Sequence, residues 1–376
     1  MYLLPKPKTI KEQDGQMLLC HSTHIVMTKE VAETEMHAAK RLQEAIRQET
    51  GLILPFSVGE VREGDLSLGI AKTLPEQTYE ITIDEKGGQI SGGDGAGVLY
   101  GVETFCQIVQ QCGGILPCVQ IQDAPDMPNR GYYFDQTRGR VLKLEELKKI
   151  ADRMCRYKLN QLQLYVEHTY LFRDFSEMWR DQTPLTAEEI RELDSYCRER
   201  HIELVPSLAS FGHLCTLLST KTYGDLCEME DSWKEPFSFW NRMRYHTINV
   251  SDERSLPLIK KMIAEYMQLF SSNKFNICAD ETFCLGKYKS KKLAEERGVH
   301  RLYIDYVKEL AQFLVENGKI PMFWGDIIWN SPELMKELPE SMICLNWGYA
   351  PEQREDETRA IAQTGAVQYL LSLIHI

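Results

Sequence analysis

The sequence has no paired-cysteine motif. Its eleven cysteines are odd in number and scattered, and none stands in a Cys-x-x-Cys pair, although Cys106, Cys112 and Cys118 lie near one another. That pattern argues against a disulfide framework and against a zinc ribbon, and suits free thiols in a reducing compartment. There is no uninterrupted apolar run of about 18 residues, so no transmembrane helix is expected. The first fifteen residues carry lysines but no apolar core ahead of a small-residue cleavage site. No secretory leader is read there, and a cytoplasmic location is expected. Positive charge is in short supply: 43 Lys and Arg against 55 Asp and Glu leave a net charge of −12. A general binder of nucleic acid or anionic membrane is thereby disfavoured, while a neutral ligand such as a sugar is not. A phosphate loop is also missing. Gly92-Gly93-Asp94-Gly95-Ala96-Gly97 is glycine-rich, but its spacing fits neither a P-loop nor a dinucleotide fingerprint, and no Lys-Ser/Thr follows. A tight turn into a helix over 98–111 is the better account. No motif calls for a metal or a cofactor.

The 376 residues, 43% hydrophobic and 26% charged, suffice for one large domain or two unequal ones. Residues 1–122 read as a small α+β domain. Strands are expected over 17–27, 52–58, 65–70 and 79–84, the last turning at Gly87-Gly88 into 89–91. A helix over 30–49 carries Val31, Met36, Ala39, Leu42 and Ile46 on one face and closes at Gly51. Residues 123–129, rich in Pro and Asp, read as a linker. From Arg130 to the end, strands and helices alternate. Seven strands are expected, over 131–135, 160–167, 202–208, 275–279, 320–324, 342–347 and 366–371. Helices are expected over 144–157, 186–200, 256–270, 303–317, 331–338 and 352–364. Residues 221–247 form a polar, aromatic-rich insertion.

Repeated strand–helix units imply parallel strands with helical crossovers. An open doubly wound sheet is one arrangement. A (β/α)8 barrel fits better, because reactive side chains stand at the ends of many strands: Asp135, Glu167, His213, Asp280, Glu281, Trp324, Asp326 and Trp347. In a barrel those ends converge on one mouth. The centre of this constellation is Phe275-Asn-Ile-Cys-Ala-Asp280-Glu281-Thr282. An apolar run there ends in two adjacent carboxylates, which are costly at a buried strand end unless they have work to do. Carboxylates with Trp and Tyr at one mouth point to a glycosidase, since aromatic rings stack on sugars and acids move protons. Neighbours on a strand point to opposite sides, so Asp280 and Glu281 are expected to have separate roles rather than to flank one bond.

In order and spacing these segments resemble glycoside hydrolase family 20, the β-N-acetylhexosaminidases. Residues 79–107 are similar to the end of that family's small domain. Arg130-Gly-Tyr-Tyr-Phe-Asp135 is similar to its first barrel strand, and Lys158-Leu-Asn160 to the entry to its second. Phe211-Gly-His213 resembles the segment after the third, and Ala279-Asp280-Glu281 that after the fourth. Phe323-Trp324-Gly-Asp326 and Asn346-Trp347 resemble the fifth and sixth. The resemblance implies substrate-assisted cleavage of a terminal β-linked N-acetylhexosamine through an oxazolinium intermediate. Glu281 would be the general acid and then the base, and Asp280 would hold the acetamido N–H. Arg130 would grip sugar hydroxyls, His213 would hydrogen-bond Glu281, and Trp324 and Trp347 would wall the acetamido pocket. Asp326 and Glu167 would complete the substrate contacts, and the partner is a β-N-acetylhexosaminide glycan.

By residue type alone, Arg130 is as readily a surface charge, His213 a turn histidine and the two tryptophans core. Trp233 and Trp240 read either as loop packing or as a subsite on the leaving-group side. Three features depart from the family pattern. Cys278-Ala279 stands where many members have Gly, and Glu167-His168 where an Asp is usual. The chain also ends at Leu371-Ser-Leu-Ile-His-Ile376 without the family's last pocket residues, so a C-terminally truncated barrel lacking its last strand is expected. The alternatives are a retaining glycosidase with a carboxylate nucleophile, Asp326 or Asp135, about 5 Å from the acid, and a non-catalytic sugar-binding relic.

Overall fold

A computed structural model describes residues 1–236, 238–348, 359 and 361–372, and of 369–372 the backbone alone. Residues 1–132 pack with 145–162 and 195–203 as one compact unit; residues 133–144, 163–194 and 204–376 form a second.

The first unit holds a seven-stranded sheet. Its strands are β1 (Thr9–Leu18), β2 (Ile25–Met27), β3 (Phe56–Val58), β4 (Leu66–Ile70), β5 (Tyr79–Asp84), β6 (Gly87–Gly92) and β7 (Ile115–Asp123), in the order β1-β7-β5-β6-β4-β2-β3. The clean alternation of β5 is matched by its burial, with Tyr79, Ile81 and Ile83 inside. β1 and β7 were not foreseen, and the strand expected over 17–27 is split between β1 and β2. The reason is visible in β1, an edge strand in which Met17 is the one buried residue, so it carries no hydrophobic alternation to read. Its register comes instead from antiparallel pairing with β7, Thr9 opposite Gln122 and Leu18 opposite Ile115. The helices Met36–Thr50 and Gly95–Cys112 pack on each other, the first closing at Gly51 in the left-handed conformation.

The glycine-rich segment is a turn, as its spacing suggested. Asp94 caps the helix Gly95–Cys112 by accepting from the Gly97 amide at 2.7 Å. A Cβ on Gly93 would stand 1.9 Å from the Pro75 carbonyl oxygen, and one on Gly97 2.2 Å from that of Thr78. These glycines admit a neighbouring backbone. Buried polar groups then tie this unit together. Lys158 Nζ donates to Tyr79 Oη at 2.6 Å and to Asp123 at 3.1 Å, and Arg41 pairs with buried Glu103.

The second sheet carries β8 (Gly131–Asp135), β9 (Gln161–Val166), β10 (Glu203–Leu208), β11 (Lys274–Asn276), β12 (Ile320–Trp324), β13 (Ile343–Gly348) and β14 (Val367–Ser372), in sequential order. Neighbours from β10 to β14 pair in parallel. This is the seven-strand succession expected of a TIM-type barrel, with helices between strands. β9 is buried along its whole length, as suits a sheet covered on both faces. The helix Val299–Glu316 turns Leu302, Tyr306 and Leu310 inward and packs on β12. The helix expected over 352–364 falls largely outside the described residues, whereas the strand expected over 366–371 is β14. The insertion is not structureless: it contains a short helix, Phe239–Arg244.

Gly93→Ala is expected to destabilise the protein by more than about 3 kcal/mol, because the clash is with backbone. Gly113→Ala has open space around it but, at φ +64° and ψ −134°, a backbone conformation that disfavours a side chain, and should cost about 1–3 kcal/mol. Urea unfolding of the two variants checks the difference.

Candidate active site

The Asp-Glu pair is placed by a strand that stops early. β11 ends at Asn276, and the next residues leave extended geometry: Cys278 has φ +58°, Ala279 +62° and Glu281 +47°. The expectation that Asp280 and Glu281 point to opposite sides fails for this reason. They lie in a left-handed turn beyond the strand, where alternation does not apply. Each such non-glycine residue costs of order 1 kcal/mol or more and persists only when its surroundings over-determine it. Here the surroundings are specific. Asn276 Oδ1 accepts from the Cys278 amide at 2.8 Å, and Tyr303 Oη donates to the Ala279 carbonyl at 3.0 Å. Ser210 Oγ donates to the Ile277 carbonyl at 2.5 Å, and the Glu281 amide donates to Asp326 Oδ2 at 3.0 Å.

The segment after β10 nests on this turn. A Cβ on Gly212 would lie 2.5 Å from the Asp280 carbonyl oxygen, so glycine permits the approach. His213, itself at φ +59°, is thereby brought under both acids. Its Nε2 stands 3.3 Å from Asp280 Oδ2 and 3.4 Å from Glu281 Oε2, with the imidazole almost fully buried. These are ion-pair contacts. The imidazole thus reaches Asp280 as well as the Glu281 expected for it, one contact shared between the two carboxylates.

Charge follows from this packing. Burial alone would lower the His213 pKa, but the Asp280 carboxylate and then Glu281 more than offset it and raise it to about 10. Burial likewise works to raise the Asp280 pKa, and the His213 imidazolium, helped by Arg138, holds it below the usual carboxylate range. Among the described residues no cation pairs with Asp326. Burial, then the neighbouring Asp280 and Glu281 charges, push it up to about 8. Three carboxyls thus divide into an ionised Asp280, a protonated Asp326 and a half-exposed Glu281.

Trp324, at the end of β12, is buried and meets Tyr133 edge-on, centroids 5.0 Å apart. Tyr133 Oη is 2.8 Å from Ser207 Oγ. Trp347, on β13, is half-buried with Trp329 6.2 Å away, and Trp329 Nε1 donates to Asn346 at 3.0 Å. Glu167, at the end of β9, is buried; it accepts from Tyr165 Oη at 2.9 Å and Arg242 Nη2 at 3.0 Å. Asp135 accepts from the Thr137 and Arg138 amides, both at 2.9 Å, and from Arg138 Nε at 2.7 Å.

Arg130 is placed elsewhere. It precedes β8, at the opposite end of that strand from Asp135. Its guanidinium donates to the carbonyls of Met127, Pro128 and Lys158 and to Tyr100 Oη. The arginines beside the acids are ones the sequence reading missed. Arg138 pairs with Asp135, stands 3.7 Å from Glu167 and lies over the Tyr165 ring. Arg242 comes from the insertion. Arg138 is the first basic residue beyond the C-terminal end of β8, which is a signal that sequence carries. Nothing in the sequence marks Arg242.

Two outcomes are expected. Folded-state pKa values raised at His213 and Asp326 stabilise the fold at low pH and cease to do so as pH rises through the folded values. Stability should therefore decline between about pH 4 and 8 for Asp326 and between about pH 6.5 and 10 for His213. Asp280, lowered, gives stability that is lost as pH falls below about 4. Urea midpoints across pH should lose the alkaline slope in His213→Gln and the middle slope in Asp326→Asn. Asp326→Asn keeps an acceptor for the Glu281 amide and should retain turnover within about tenfold at pH 6. Asp326→Ala leaves that amide unpaired, at a cost of about 1–3 kcal/mol, and should lose more. Steady-state kinetics of the two variants separate these cases.

Comparisons with known proteins bear on the family and the fold. The family model for glycosyl hydrolase family 20, domain 2, matches residues 1–124, and that for the family 20 catalytic domain matches 128–371. A beta-hexosaminidase of Porphyromonas gingivalis is 24% identical over 87% of this chain and 45% of its own length. One from Vibrio furnissii is 26% identical over 74% of this chain and 48% of its own. The chain thus spans about half the length of these curated relatives. Among solved structures, a chitobiase of Flavobacterium johnsoniae superposes with a TM-score of 0.82 at 19% identity, over 98% of this chain and 59% of that one. The beta-N-acetylhexosaminidase of Bacteroides fragilis gives 0.79 at 18% identity, over 98% and 75%. With both family models matched in order along nearly its whole length, the chain belongs to glycosyl hydrolase family 20.

Proposed function

We propose that the chain hydrolyses terminal, non-reducing β-linked N-acetylhexosamine from glycans, with the substrate's own acetamido group as nucleophile. The observation that carries this reading is that Asp280 and Glu281 stand over one buried imidazole, 3.3 and 3.4 Å from His213 Nε2. Asp280, kept ionised by His213, is suited to accept the acetamido N–H and to stabilise positive charge growing on that group. The acetamido oxygen attacks C1 as the C1–O bond breaks, and Glu281 delivers its proton to the departing oxygen. Water then attacks C1, Glu281 takes the water's proton, and the oxazolinium ring opens. Trp324 and Tyr133 offer the apolar wall that an acetamido methyl needs.

The alternative of a carboxylate nucleophile meets two obstacles. Asp135 has its oxygens engaged by two amides and by Arg138. Asp326 is protonated through neutral pH and already accepts from the Glu281 amide. Beta-hexosaminidases among the relatives and a Streptomyces plicatus beta-hexosaminidase solved with GlcNAc support the sugar class.

The test is hydrolysis of an aryl β-N-acetylglucosaminide beside the matching aryl β-glucoside. Cleavage of the first alone is expected; cleavage of both would overturn acetamido participation. Glu281→Gln should lower turnover of oligosaccharides by about 10²–10⁴-fold while preserving binding. Asp280→Asn should lower it by about 10²-fold or more.

A further inference from the structure

The insertion ends in a helix that buries none of its own side chains. Phe239–Arg244 exposes Phe239 and Trp240 by about three-fifths of their surface, and Phe283, after the catalytic turn, is also exposed. Leaving such rings in water forgoes about 1.5–3 kcal/mol each, and contiguous aromatic exposure of this kind marks a binding surface. The helix is nevertheless held firmly. Ser238 Oγ caps it by accepting from the Asn241 amide at 3.0 Å, and Arg242 reaches Glu167. Cys284 Sγ donates to the Arg244 carbonyl at 3.0 Å, which pins its last residue to the chain segment of the catalytic acid.

The rings are arranged around a cation. The Arg244 guanidinium lies 5.0 Å from the Trp240 centroid and 6.0 Å from that of Phe283. Arg244 is exposed, and among the described residues no carboxylate pairs with it; its guanidinium stands beside two aromatic rings. Phe283 follows Glu281 by two residues, and its amide donates to the Glu281 carbonyl at 2.7 Å. Glu281, Phe283, Arg244 and Trp240 are thus linked by a succession of neighbouring contacts.

We propose that Trp240 and Phe283, with Arg244 between them, bind the first sugar of the leaving group. This inference rests on the glycosidase reading. Glu281 must protonate the oxygen that joins the cleaved sugar to the leaving group, so the leaving group's ring lies on Glu281's solvent side. A pyranose presents an apolar C–H face that stacks on an exposed indole, and hydroxyls or a carboxylate on its rim that a guanidinium grips. The subsite thus selects a ring-bearing leaving group over a small one. Trp233, equally exposed and under Lys234 in the same insertion, is the natural control.

The experiment compares kcat/KM of the whole chain on three substrates. They are β-N-acetylglucosaminyl fluoride, whose leaving group has no ring, N,N′-diacetylchitobiose, and a disaccharide with N-acetylmuramic acid as the reducing sugar. Trp240→Ala should lower the disaccharide values about tenfold, mainly through KM, and change the fluoride less than twofold. Trp233→Ala should change none. Equal losses on fluoride and disaccharides, or no loss on either disaccharide, would overturn the proposal. Arg244→Gln distinguishes the sugars. A loss confined to the muramic acid substrate assigns the subsite to a carboxylate-bearing sugar, and equal losses on both disaccharides assign it to a neutral one. If the wild-type chain leaves the fluoride intact, the glycosidase reading itself fails. The subsite is then read by fluorescence titration: chitobiose must bind more tightly than N-acetylglucosamine, by a margin that Trp240→Ala removes, and an unchanged margin overturns it.

Discussion

The second unit is organised by the problem of putting three carboxyls in one poorly solvated place. Asp280, Glu281 and Asp326 lie close enough that they cannot all ionise without a counter-charge. His213 supplies it from below, with Arg138 beside it, and the outcome is a division of protonation states rather than a uniform cluster. That division is what makes two adjacent acids chemically different. Asp280 is held as an anion by His213, and Glu281 is the more exposed of the two.

The backbone around the acids is bent to serve this arrangement. Left-handed residues at Cys278, Ala279, Glu281 and His213 are not locally favourable, and each is restrained by a bond or contact from a different element. Tyr303 and Tyr306 reach in from one helix to the Ala279 and Ser210 carbonyls, both at 3.0 Å. Helix packing behind the sheet is thus converted into the aim of two carboxylates in front of it. The insertion is coupled to the same place, through Arg242 on Glu167 and through Arg138 on the Met243 sulfur. A segment that reads as a decoration is therefore part of the wall of the site.

Much of this was legible in one dimension. The alternation of Tyr79–Asp84, the turn at Gly92–Gly97 and the parallel strand succession after Arg130 follow from local rules, because side-chain periodicity and glycine geometry act over a few residues. Asp280 and Glu281 stood out because acids at the end of an apolar run are costly. What failed did so for stated physical reasons. β1 hides because an edge strand with one buried side chain has no pattern to show. Arg130 was singled out by the family resemblance alone, and the fold sends it to carbonyls at the N-terminal end of β8.

The sequence by itself determined the strand succession after Arg130, the barrel class and the prominence of the central acids, since these depend on periodicity and on the cost of burying charge. Only the tertiary structure decided what surrounds those acids. Their common imidazole and the approach of Asp326 to the Glu281 amide are distances between strand ends remote in sequence, and no local rule contains them.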